Sequence, residues 1–67
     1  MSDFAERLKE LRIEKNLAME KLANETGISS SAINTWENRI SFPTLPSLIV
    51  LAKFFKVTLD FLAGLEN

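Results

Sequence analysis

The chain has 67 residues, room for one domain over 1–67, and its 46% hydrophobic and 25% charged content is the balance of a folding chain, not of a disordered tail. Eight Lys and Arg against nine Asp and Glu leave a net charge of −1, so any binding of a polyanion must rest on where the charges lie. Cysteine and histidine are absent, which excludes disulfides, thiolate chemistry and the commonest general base and metal ligand, and no cofactor, metal or small-molecule ligand is expected.

The start, "MSDFAERLKE", is acidic and soon charged, unlike a signal peptide, and the longest apolar run, "LIVLA", is far too short to cross a bilayer. A cytoplasmic protein without membrane contact is the expectation. No segment alternates apolar and polar residues over strand length, so an all-α fold of five helices is predicted.

The first helix is predicted over about 3–15, with Asp3 and Glu6 at capping-box spacing. Phe4, Leu8 and Leu11 form an i, i+4, i+7 stripe that also carries Arg12, an odd place for a guanidinium. The second helix, about 19–26, turns Leu22 and Ala23 inward and stops at Gly27, a residue suited to a left-handed turn. The third opens at the N-cap Ser29 and runs through about 30–38. Two short helices joined only by "TGIS" make the helix-turn-helix pattern.

Pro43 marks a loop, Thr44 caps a fourth helix that tolerates Pro46 in its first turn, and Leu45, Leu48, Ile49, Ala52 and Phe55 are its expected inward face. Thr58 caps a fifth, with Asp60 near its N-terminus, Leu59, Leu62 and Ala63 as its apolar positions, and Gly64 at its end.

The third helix has two faces. At about 100° per residue, Ile33, Trp36 and Glu37 fall together beside Ala32, while Ser30, Ser31, Asn34, Thr35 and Asn38 lie opposite. Arg12 and Glu37 thus both point where core should be. A lone buried charge is very costly and a paired one tolerable, so a salt bridge between them is inferred; the alternative is two side chains snorkelling at a boundary. The opposite face is small, polar and uncharged. It is either an ordinary solvated face or a surface suited to base edges, since Asn pairs with adenine in the major groove and Ser or Thr with bases generally. Solvated faces usually carry Lys and Glu, the better helix formers, and this one does not.

With Leu22-Ala23, Gly27-Ile28-Ser29, Ile33, Trp36-Glu37-Asn38, Pro43, Leu48, Leu51-Ala52 and the segment 57–62 in this order and spacing, nearly the whole chain resembles the lambda-repressor-like (Cro/Xre-type) helix-turn-helix family. The resemblance implies a compact five-helix bundle that binds double-stranded DNA through its third helix, and a transcriptional regulator, usually a repressor. It also implies an arginine of the first helix paired with the glutamate of the third, as the periodicity suggests for Arg12 and Glu37. It places Ser29, Ser30, Ser31, Asn34 and Thr35 at base-reading and nearby positions, and Asn38 and Arg39 at phosphate-contacting ones. The start of the second helix also meets phosphate in the family; here Ala18 and Met19 stand where Ser or Thr and Gln are common, with Asn16 as a substitute donor. Arg39 and Lys56 replace common glycines. Asp3, Glu6, Glu10, Glu14, Asp60 and Glu66 are expected away from the DNA side, which offers Arg39, Lys15 and Lys21.

That footprint is thin, and a homodimer would double it. Val50 and Phe54 form a second apolar row on the fourth helix, and with Phe61 and Leu65 they are the expected two-fold interface; alternatively Phe54 fills the core beneath the fifth helix. The competing function is a protein-interaction module of the same fold with weak or no DNA binding. An enzyme is not supported, because no paired carboxylates share a concave surface.

Overall fold

Each predicted helix forms, and nearly every one begins on a side-chain cap. In the computed structural model, which describes residues 3–66, α1 spans Phe4–Glu14, and the Glu6 N–H donates to Asp3 Oδ1 at 3.0 Å. Helix α3 (Ser30–Glu37) starts with the Ala32 N–H on Ser29 Oγ at 3.1 Å. Thr44 opens α4 (Leu45–Phe55) by accepting from the Ser47 N–H, and Thr58 opens α5 (Leu59–Leu62) by accepting from the Phe61 N–H. The exception is α2 (Met19–Thr26), where Ala18 supplies no side-chain oxygen. No strand occurs among the described residues.

The helix ends share one device. Asn16, Gly27, Arg39, Lys56 and Gly64, each just past the end of a helix, all have positive φ, between 57° and 83°. After α1, α3, α4 and α5 the next residue closes a six-residue loop onto the helix: Leu17 N–H to Arg12 O, Ile40 to Thr35, Val57 to Ala52 and Leu65 to Asp60. This ending satisfies carbonyls left open by the last turn, and glycine is its usual occupant. Three of the five sites here carry side chains instead.

The core takes one fully buried residue from each helix: Leu8, Leu22, Ile33, Leu51 and Leu62. Phe4, Trp36, Ala52 and Phe55 close around them, with Trp36 edge-on to Phe4 at 6.2 Å between centroids. Helix α3 packs on both α1 and α2, and α4 carries α5. The molecule measures 27 × 24 × 22 Å.

Two predicted inward faces need correction. Leu45 and Ile49 of α4 are exposed, at 60% and 37%, and so is Leu59 of α5. The buried side of α4 is centred on Leu48, Leu51, Ala52 and Phe55, rotated away from Leu45 and Ile49 toward Leu51. A fifth helix of one turn is too short to cover both edges of α4, or to bury both of its own leucines.

Lys56 holds a left-handed conformation that glycine adopts without strain, and its side chain is exposed. Lys56→Gly is therefore expected to raise the denaturant midpoint, by about 0.5–1 kcal/mol of stability after glycine's own entropy cost. Equilibrium unfolding in urea checks this.

Candidate nucleic-acid interface

The polar face of α3 is held outward by what its other face does. Arg12 Nε donates to Glu37 Oε2 at 2.7 Å and Nη2 to Glu37 Oε1 at 2.9 Å. The side chains are only 12% and 3% exposed, so the inferred bridge is bidentate and largely sheltered, not a pair of snorkelling tips. Nη1 makes a third bond, to the Leu17 carbonyl at 2.7 Å, and so ties in the connection to α2. The hydrogen bonds to Glu37 raise the Arg12 guanidinium above its ordinary value, against the opposing effect of burial.

Helices α2 and α3 meet at Gly27, whose φ of 77° is what the position demands, since an added Cβ would touch nothing. Thr26 stiffens the turn by donating to Leu22 O at 2.8 Å and accepting from the Ile28 N–H at 3.3 Å. Nothing in the sequence pattern singles out that role; a threonine closing a helix just before its glycine is the only available signal.

The predicted base-reading residues do share one surface, but they differ in what they leave free. Ser31 and Asn34 are exposed, and Ser30 is half-buried. Ser29 is exposed with its oxygen engaged as the cap. Thr35 is half-buried, and its hydroxyl lies 2.9 Å from Ala32 O and 3.0 Å from Ser41 Oγ. Asn38 Nδ2 donates to both the carbonyl and the side-chain oxygen of Asn34, at 2.8 and 3.0 Å. That orients the Asn34 amide and leaves its own NH2 without a partner among the described residues.

The phosphate candidates are less available than the sequence suggests. Asp3, expected away from this surface, instead meets Arg39: Nε to Oδ2 at 2.8 Å and Nη2 to Oδ1 at 3.0 Å. Pairing raises the Arg39 guanidinium, and it lowers the Asp3 carboxyl, helped by the Glu6 N–H. Lys21 lies 3.7 Å from Glu25, and the Lys15 ammonium sits 5.6 Å from the centre of the Phe54 ring. Met19 packs toward the core, so only the backbone is offered at the start of α2, and Asn16 is exposed in its left-handed turn.

The residues expected at a two-fold interface are split. Val50 and Leu65 are exposed, at 39% and 77%, while Phe54 and Phe61 are half-buried. Phe54 stands edge-on to Phe55 at 5.0 Å, and the Arg7 guanidinium lies 4.1 Å from the centre of the Phe61 ring. Arg7 escapes a reading of the apolar stripe because it flanks it. It is buried, and its Nε and Nη1 have no hydrogen-bond partner among the described residues, where the Phe61 ring lies against the guanidinium.

Two short helices hinged at a left-handed glycine, the second docked by a buried ion pair with its polar side outward, define a helix-turn-helix protein. The chain belongs to that family, whose model, described as helix-turn-helix, matches residues 8–62. It is 43% identical over 65 residues to the HTH-type transcriptional activator BcrR of Enterococcus faecalis, covering 97% of this chain and 32% of that protein. It is 36% identical over 64 residues to the uncharacterized HTH-type transcriptional regulator YobD of Bacillus subtilis, covering 96% of this chain and 57% of that protein. With the HTH-type transcriptional regulator AnsR of the same species it shares 38% over 62 residues, 92% of this chain and 53% of that one. The chain thus spans from about a third to somewhat over half of the length of these relatives. No solved structure matches. Among the described residues no helix is long and apolar enough to cross a membrane.

Removing one partner of the sheltered pair strands the other. Glu37→Gln or Arg12→Met is expected to cost about 3–5 kcal/mol, and the double variant less than the sum. Denaturant midpoints of the three variants test this; additive effects below 1 kcal/mol would refute the coupling.

Proposed function

We propose that the chain is the double-stranded-DNA-binding unit of a cytoplasmic transcriptional regulator, and that it reads sequence with α3 in the major groove as a homodimer. It acts by binding and carries out no catalysis. The observation that carries this reading is the outward face of α3: uncharged, exposed at Ser31 and Asn34, built of short donor and acceptor side chains, and fixed from behind by Arg12 and Glu37. Family membership and the names of the relatives support it. Ser30, Ser31 and Asn34 are the proposed base-reading residues with the most freedom, Ser29 and Thr35 flank them, and Asn38, Arg39, Asn16 and the backbone at Met19 face phosphate. Repression is the proposed sign, by a dimer covering promoter DNA; the Enterococcus relative is named an activator.

Ile40 and Phe42, exposed at 71% and 83% just beyond α3, favour the second reading, a protein-interaction module. Selection of bound duplexes from a random pool separates the two, because a module that does not bind DNA enriches nothing. With a selected site in hand, Asn34→Ala should keep the fold and relax preference at one base pair, by about 1–3 kcal/mol if the amide makes a bidentate contact. An unchanged selected site would move base reading elsewhere on the helix.

Dimerisation is proposed through Val50 and Leu65, with the outer edges of Phe54 and Phe61. Two recognition helices would then sit about 34–36 Å apart, one turn of DNA. Phe61 makes a poor test position, because a charge there would disturb Arg7. Sedimentation of wild type, Val50→Glu and Leu65→Glu over a concentration series is the better one. Micromolar self-association, lost in both variants, is expected; a wild type that stays monomeric and binds half-sites independently refutes the dimer.

A further inference from the structure

The Asp3–Arg39 pair is unusual for a surface contact. The partners are 36 positions apart in the chain, and their side chains are 51% and 58% exposed, yet the Nε–Nη2 edge of the guanidinium is paired with both carboxylate oxygens. Each end is anchored by backbone. The Asp3 carboxylate is held at the start of α1 by the Glu6 N–H, and Arg39 rises from a left-handed residue whose N–H bonds to Trp36 O at 3.2 Å. Capping requires only one oxygen, and asparagine caps as well as aspartate. Exposed ion pairs add little to stability. The second oxygen of Asp3 is therefore accounted for by Arg39 and not by the cap of α1.

A guanidinium fork takes a carboxylate and a phosphate in the same bidentate geometry. We propose that Asp3 is an intramolecular competitor for DNA phosphate: its carboxylate occupies the Nε–Nη2 edge of Arg39 in the free protein and must be displaced for the backbone of the duplex to bind that edge. The inference rests on the DNA-binding reading above. It makes Asp3 an affinity-setting residue that touches no base. Its effect is uniform across sequences, because phosphate contacts carry no sequence information.

The test is Asp3→Asn, which keeps the capping oxygen and removes the charge. Binding to a selected duplex and to a random duplex is measured by fluorescence anisotropy over a salt series, with far-UV CD as the fold control. Asp3→Asn should bind both duplexes about two- to fivefold tighter at low salt, an exposed pair's worth. It should also steepen the salt dependence by about one unit of slope, as a freed cation meets phosphate. In an Arg39→Ala background the gain should vanish. Equal or weaker binding by Asp3→Asn overturns the proposal, the latter by making Asp3 a support that orients Arg39. A gain that persists without Arg39 overturns it as well, by reducing Asp3 to general repulsion. If wild type and all variants bind no duplex, the DNA-binding reading itself falls and the competitor with it. Failure of the competitor alone is recognised by a wild type that binds.

Discussion

One guanidinium holds three segments of this molecule in register. Arg12 spends two donors on Glu37 of α3 and a third on the carbonyl of Leu17, where the chain turns toward α2. Both elements of the helix-turn-helix are thereby referred to α1, across a separation of 25 residues in one case and five in the other. Burying this pair costs desolvation that a leucine would not, so its value lies less in net stability than in fixing one arrangement. Apolar contacts at Ile33 and Trp36 tolerate sliding; a two-toothed carboxylate contact does not. The polar face of α3 inherits its orientation from that fork.

This arrangement was legible in the sequence because it is periodic. Two charges interrupt apolar stripes on two helices, and the cost of an unpaired buried charge forces them together. The helix starts were legible for a similar local reason: Asp3, Ser29, Thr44 and Thr58 each carry an oxygen where a helix needs one. What stayed hidden depends on tertiary placement. Nothing local says that Asp3 reaches Arg39, or that α5 amounts to a single turn that leaves Leu45, Ile49 and Leu59 outside. Arg7 was hidden too, because a long side chain beside a stripe reads as solvated until a ring is found across from it. Within the candidate interface, residue type predicted which side chains share the outward face, but not that the Thr35 hydroxyl is already engaged with Ala32 and Ser41.

The cations tell a consistent story. Arg39, Lys21 and Lys15 each have a partner within the chain: a carboxylate, a carboxylate and an aromatic ring. The acidic balance is thus not confined to a remote side of the molecule; part of it is set against the few cations of the outward surface. A surface of this kind has a weak long-range attraction for polyanions, and its contacts form only at close range, where a fork can exchange one anion for another. For the proposed regulator this shifts the burden from steering to fit.

Trp36 is the only tryptophan, and the chain has no tyrosine. Its indole is 7% exposed and stands against Phe4, on the inner side of the helix whose outer side carries Asn34 and Ser31. Emission excited in the near ultraviolet therefore comes almost wholly from one site, at the seam between α1 and α3. A ligand on the outer surface does not touch that indole. A spectral change on binding would signal movement of α3 against α1, and an unchanged spectrum would mean that the helix engages its target as a preformed, rigid probe. The molecule carries its own optical gauge of whether recognition involves rearrangement, with no label added.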